Sequence, residues 1–297
     1  MIFKQYNDVK VFYGDTYDIM MHHEAQNLVP LGNVIIGNEG KDKTGWRNAE
    51  NWFMATVSDH DEIKLTAIMT PPHNLTLYAT DNQYSDETIA SLINGIIDAD
   101  IPVGGVMTEN SLAESFARCY SNAKGMSYRI NKHQRIYELT HINPEIHTQG
   151  NLRLACERDM SFLPYWFEGF DSDCFGSVPA VQSEAGPYEY QIASGKLYVL
   201  EDNGTPVSMA KINREMQTVN GVGYVYTPPF FRKKGFATSC VAILSRTILE
   251  RGYTKCVLYT DLANPISNSI YQKIGYRPIC DSLEIRFSII EKSGIDQ

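Results

Sequence analysis

The sequence predicts an α/β protein of the α+β type, with mixed sheets flanked by helices and the chain divided into two domains. Three observations carry this. The chain has 297 residues, more than one ordinary domain uses. Strand and helix patterns alternate up to about residue 145, where Asn143-Pro144 breaks them, and they restart at residue 151. Hydrophobic residues are 43% and charged residues 21%, so each half has enough apolar side chains to bury a core of its own. The expected domains are residues 1–145 and 146–297.

In the first half, residues 62–79 read as two strands around a Pro-Pro turn. Ser85 is placed to cap a helix with Glu87 in its first turn, and Ile89, Leu92, Ile93 and Ile96 recur at helical spacing. A short strand over 102–108, a helix over 111–123 and a strand over 126–138 follow. In the second half, a strand over 151–157 leads to a helix near 159–170, and 171–190 shows no clear period. Strands at 196–201 and 206–213 flank an Asp202-Asn203-Gly204 turn. A further strand ends at Thr227.

Composition narrows the functions. The formal charge of −9 argues against binding a phosphate backbone, which needs clustered Lys and Arg, so no nucleic-acid partner is expected. No run of 18 apolar residues is present, and MIFKQYNDVK has no apolar core of a leader peptide, so a soluble cytoplasmic chain is expected. Six scattered cysteines show no CxxC spacing and read as reduced thiols. All seven histidines lie at or before His147, which excludes a histidine triad or histidine metal site made by the second half alone. No metal is expected. The stretch from Gly37 through Gly40 and Lys41 to Thr44 lacks the GxxxxGK[ST] spacing of a nucleotide loop and reads as polar surface.

The informative stretch follows Pro228-Pro229. It runs Arg232, Lys233, Lys234, Gly235, Phe236, Ala237, Thr238, then a helix with Ala237, Cys240, Val241, Leu244 and Ile248 on one face and Gly252 at its end. A strand feeding a small-residue loop and then a helix is an anion site, because the helix N-terminus offers unpaired N–H groups and the positive end of its dipole. Gly235 lets the backbone approach a phosphate, Ala237 keeps the next turn small, and Lys233 and Lys234 add positive charge. Alone, the pattern is also that of a basic loop capping an ordinary helix.

After a strand over 255–260 comes a second helix. Asn264 followed by Pro265 reads as an N-cap with proline at the first position, and Gly275 as the stop. Asn264, Ser267, Asn268 and Tyr271 fall on one stripe, with Ile266, Ile270 and Ile274 on a second stripe about 110° away. The apolar stripe is expected against the sheet. A polar stripe usually faces water, which is the plain alternative to a binding role.

Together the two motifs resemble the GNAT superfamily of acetyltransferases over about residues 150–290. Arg232, Gly235 and Ala237 match that family's Q/R-x-x-G-x-G/A loop, and Asn264 and Tyr271 match its Asn-to-Tyr helix. The resemblance implies tandem GNAT-like domains if the first half is a degenerate copy; the other reading of residues 1–145 is an unrelated α/β domain. It implies acetyl-CoA as co-substrate and a small-molecule or peptide amine as acceptor. Val225, Tyr226 and Thr227 would bond the pantetheine arm through a splayed strand end. The amides from Lys233 through Thr238, Phe236 and Ala237 included, would hold the pyrophosphate. Asn264, with Ser267 or Asn268, would contact the arm, and Tyr271 would face the thioester sulfur, where a neutral phenol can donate a proton.

This sequence departs from the family at the base. Residues 220–227 carry no carboxylate, and the corresponding position of the next strand is Tyr259. An alkylammonium is far less than ~1% neutral at pH 7, so the proton must leave, and Asp261 is the nearest acid in sequence. In the first half, laying Asn110 over Asn264 puts Ala117 where Tyr271 sits. Residues 80–88 hold no glycine and carry acids, so that half is not expected to bind the cofactor. The competing reading is a non-catalytic acyl-CoA-binding module used for sensing or assembly.

Overall fold

A computed structural model describes residues 1–40, 49–80, 83–176 and 186–290. In chain order the elements are β1 (Ile2–Tyr6), α1 (Val9–Met21), α2 (Leu28–Glu39), β2 (Phe53–Asp59), β3 (Glu62–Met69), β4 (Leu75–Ala79), α3 (Asp86–Asp98), β5 (Gly105–Glu109), α4 (Asn110–Lys124) and β6 (Met126–Leu139). There follow β7 (Asn151–Leu154), α5 (Leu163–Phe175), α6 (Gly186–Ala193), β8 (Leu197–Asp202), β9 (Thr205–Glu215), β10 (Val219–Tyr226), α7 (Phe236–Glu250), β11 (Lys255–Asp261), α8 (Pro265–Ile274) and β12 (Arg277–Ile289).

The chain forms two compact units. The first holds Met1–Ile136, Asp261–Ala263 and the chain from Cys280 onward; the second holds Tyr137–Thr260 and Asn264–Ile279. Each has the mixed sheet flanked by helices that the sequence predicts, and the two repeat one plan. In the first, β1, β2, β3 and β4 pair antiparallel in turn, and β4 pairs parallel with β5. In the second, β7 to β10 pair antiparallel in turn, and β10 pairs parallel with β11. A helix follows the fourth strand (α3, α7) and another the fifth (α4, α8).

The sixth strand of the first unit comes from the far end of the chain. β12 pairs antiparallel with β5, Ser282 opposite Glu109 and Arg286 opposite Gly105. Its Leu283, Ile285 and Phe287 complete a core with Leu75, Ile89, Leu92, Ile96, Phe116 and Tyr120. In the second unit, the end of β6 stands beside β11 in the strand order, where Lys255 Nζ meets Glu138 at 2.8 Å. Tyr137 is fully buried there, among Leu244, Ile248, Leu258, Tyr271, Ile274 and Tyr276. A fragment beginning at Gln149 therefore lacks part of the second unit's core.

Local chemistry explains the boundaries. Ser85 and Thr88 form a reciprocal capping box at the start of α3. The Asn203-Gly204 pair takes left-handed φ values of 48° and 77°, closing the β8–β9 hairpin as a type I′ turn requires. Three features differ from the sequence reading. Residues 171–175 continue α5, and α6 begins at Gly186, where no period was legible; residues 177–185 lie outside the described residues. Gly37 to Glu39 close α2 and are not loop, with Lys41 to Thr44 outside the described residues. On α8, Ile274 is buried and Ile270 half-buried, but Ile266 is 70% exposed, so the apolar stripe meets the sheet only over its last turns.

Candidate functional site

The site is built at the end of β10. Its parallel ladder with β11 joins only Val219–Gly221 to Lys255–Val257, and beyond that the two strands part. On the other side it stays tied to β9 through register shifts at Gly221/Val222 and Gly223/Tyr226. In the second of these Tyr224 takes φ 52°, a value rare for an aromatic residue. Ser208, fully buried on β9, donates to Tyr226 O at 3.0 Å and meets Thr227 Oγ1 at 2.9 Å. The strand end is thus fixed on its β9 side while its β11 side leaves the ladder at Val222. Val225, Tyr226 and Thr227 lie along that segment.

The loop beyond turns sharply twice, at Lys233 (φ 62°) and Gly235 (φ 84°). A left-handed lysine costs on the order of 1–2 kcal/mol, and such outliers concentrate where a loop is shaped for a ligand. Gly235 occupies the N-cap of α7 with no side-chain hydrogen bond to the helix. The first helical bond is Ser239 N–H to Gly235 O, so the amides of Phe236, Ala237 and Thr238 precede it without a side-chain cap. Lys233 and Lys234 flank them, both exposed.

Several groups hold this loop. Arg232 Nε donates to Thr227 O at 2.9 Å, its Nη2 meets Asp173 of α5 at 2.6 Å, and its guanidinium lies over the Tyr226 ring. Gln149 Nε2 donates to Lys234 O at 2.5 Å and its backbone N–H to Ser239 Oγ at 3.1 Å. Lys234 Nζ stands 4.7 Å above the Phe230 ring. Arg232 is therefore a brace for the loop, with its charge directed at Asp173. No signal in the sequence linked Gln149 or Asp173 to the motif, since both are distant along the chain.

Asn264 caps α8 as expected, accepting from Ser267 N–H at 3.1 Å. Asn268 Nδ2 donates to Asn264 O at 2.7 Å, and Asn268 Oδ1 accepts from Tyr137 Oη at 3.1 Å. Much of the polar stripe is thus engaged in capping and in holding Tyr137. Tyr271 is 8% exposed, with its ring between Tyr137 and Tyr276 at centroid distances of 6.4 and 6.0 Å. Burial, with a smaller contribution from Cys174, pushes its phenol well above the ordinary value, so it stays neutral and available only as an O–H donor. Asp261, the last residue of β11, accepts from Ala263 N–H through its Oδ1 at 2.8 Å.

Two buried thiols of the second unit, Cys240 on α7 and Cys256 on β11, are poor nucleophiles. Burial pushes Cys240 and Cys256 each up to about 12. Among the described residues no three His, Cys, Asp or Glu side chains cluster as metal ligands, and no helix is long and apolar enough to cross a membrane.

A sheet whose parallel strands part beside a glycine loop and an uncapped helix end is the architecture of GNAT acetyltransferases. Comparison with known proteins agrees. Residues 204–285 match the model of the family described as FR47-like protein. An acetyltransferase of the GNAT family from Colwellia psychrerythraea is similar over 97% of this chain and 99% of its own, with TM-score 0.57 and 12% identity. A GCN5-related N-acetyltransferase from Sphaerobacter thermophilus is similar over 96% and 95%, with TM-score 0.61 and 12% identity. A Drosophila protein is similar over 97% and 99%, with TM-score 0.65 and 9% identity. No curated protein matches the chain. The resemblance to the GNAT superfamily read from the sequence is borne out, and the fold of this chain is the GNAT fold.

Proposed function

We propose that the protein is an N-acetyltransferase that moves an acetyl group from acetyl-CoA to a primary amine by direct attack on the thioester. The observation that carries the reading is the uncapped, left-handed Lys233–Gly235 loop beside the unladdered end of β10. The pyrophosphate rests on the amides of Lys233 through Thr238, where helix dipole and lysine charge act together. The pantetheine arm lies along Val225–Thr227. Asn264 Oδ1 is taken by its own helix, which leaves the Asn264 amide NH2, with Ser267, to meet the arm.

Tyr271 donates a hydrogen bond to the sulfur as the thiolate departs. The raised phenol cannot ionise readily, so it stabilises the leaving group and relays a proton. Asp261 is one candidate acceptor for the proton of the ammonium. The acceptor itself is a small-molecule or peptide amine, and the reaction calls for no metal. The GNAT acetyltransferases that share the fold support the same chemistry.

The test is thiol release from acetyl-CoA across a panel of amines, with calorimetry for cofactor binding. Micromolar binding and amine-dependent thiol release are expected. Binding without release from any amine would favour a non-catalytic acyl-CoA sensor. No binding at all would refute the loop assignment.

A further inference from the structure

Helix α5 ends in a thiol that the acetyl-transfer step does not use. The apolar face of the helix, Leu163, Trp166, Phe167 and Phe170, packs on β8, β9 and Tyr226, the last residue of β10. Gly169 leaves no room for a Cβ against Tyr226 Oη, so the helix backbone rests on that tyrosine. One turn further, Asp173 meets Arg232 at 2.6 Å, and Arg232 donates to Thr227 O. The last turn of α5 therefore lies at the end of β10. Cys174 is in that turn, four residues after Phe170 and so on the same face, and its thiol is exposed. Tyr271 comes to the same place from α8. It is 8% exposed, and its hydroxyl makes no hydrogen bond among the described residues. Burial and then the charge of Cys174 raise its phenol, so the thiol stands near enough to act on it. A buried O–H without an acceptor is costly, and a sulfur that arrives with a ligand is a physical reason to keep one.

We propose that Cys174 is a modification site for CoA: with CoA in the α7 loop and a peroxide as oxidant, the Cys174 thiol and the CoA thiol join in a mixed disulfide. This rests on the reading of the protein as an acetyltransferase, which brings the CoA sulfur to the Tyr271 hydroxyl. The step balances. Cys174–SH and ROOH give Cys174–SOH and ROH, and the sulfenic acid condenses with CoA–SH, forming the S–S bond and releasing water. The two thiols lose two electrons between them, and the O–O bond of the peroxide takes them up. CoA held by the loop presents its thiol at an effective concentration far above that of a thiol in solution, so CoA is captured in preference to other small thiols. Acetyl-CoA has no thiol to give. The adduct therefore forms only where an oxidant is present and the acetylated cofactor is depleted. It fills the path of the arm beside Tyr271 and blocks acetyl-CoA until a small thiol removes it by exchange.

The experiment treats the full chain with hydrogen peroxide and equal concentrations of CoA and glutathione, then reads each cysteine by peptide mass spectrometry. Cys174 is expected to carry CoA over glutathione by at least ~10-fold, whereas Cys156, which is also exposed, should show no such preference. Excess desulfo-CoA, which fills the loop but has no thiol, should abolish the preference at Cys174, and acetyl-CoA in place of CoA should give no CoA adduct. Calorimetry supplies a second reading. Peroxide with CoA should remove acetyl-CoA binding from the wild type, dithiothreitol should restore it, and Cys174→Ser should keep its binding through the same treatment. Equal labelling of Cys174 by the two thiols, a preference that survives desulfo-CoA, or no CoA on Cys174 in a chain that binds acetyl-CoA overturns the assignment. Absence of acetyl-CoA binding in the untreated wild type instead overturns the acetyltransferase reading itself.

Discussion

The helices α3 and α7 occupy the same place in two copies of one topology, yet their N-termini are finished in opposite ways. At α3, the Ser85 hydroxyl accepts from Thr88 N–H, Thr88 Oγ1 accepts from Ser85 N–H, and Asp86 and Glu87 fill the first turn. The helix satisfies its own amides and meets its own dipole with its own carboxylates. At α7, a left-handed glycine stands where the cap would be, and lysines precede it. The strands beneath differ too. Where β4 and β5 part, Thr108 Oγ1 donates to Leu77 O at 2.7 Å and stitches the gap. A repeated fold thus offers the same place twice, and the capping chemistry leaves only the α7 end open to an anion.

That contrast can be broken by sealing the open end. Gly235→Glu puts a side chain on a φ 84° backbone and a negative charge among the expected phosphates. We expect acetyl-CoA affinity to fall by at least ~100-fold, about 2.8 kcal/mol, in calorimetry. Unaltered affinity would remove α7 as the phosphate site.

Next in size is Tyr271→Phe. Loss of the neutral O–H donor should lower turnover by about 10–1000-fold with cofactor affinity nearly unchanged, as read in steady-state kinetics. Wild-type turnover would return Tyr271 to a packing role between Tyr137 and Tyr276.

The smallest effect tests the sealed end. Ser85→Ala should cost about 1 kcal/mol in a denaturant melt and create no acetyl-CoA binding, because Asp86 and Glu87 remain. A second cofactor bound by that variant would show that the cap alone silences the first unit.

Much of this contrast was legible in the sequence, because caps and glycine turns are local. Ser85, Asn264, Gly275 and the strand–loop–helix at 227–238 all act within a few residues of their own backbone. The stripe on α8 was legible as a period but not as a burial pattern. Tyr137, more than a hundred residues away, packs with Tyr271 in the core, while Ile266 is exposed among the described residues. The short α6 was missed because eight residues give too few turns for a period to stand out.

The pairing of β12 with β5 has a consequence for synthesis. Most of the first unit precedes the second in the chain, but three of its core side chains, Leu283, Ile285 and Phe287, leave the ribosome only after the second unit. Until then the rings of Phe116 and Tyr120, which Phe287 later meets at 6.4 and 4.9 Å, have an unfinished wall, and β5 has an unpaired edge. The usual order, in which an N-terminal domain matures while the next is still being translated, is closed to this chain. Its first unit must wait for β12, which is made after the second unit.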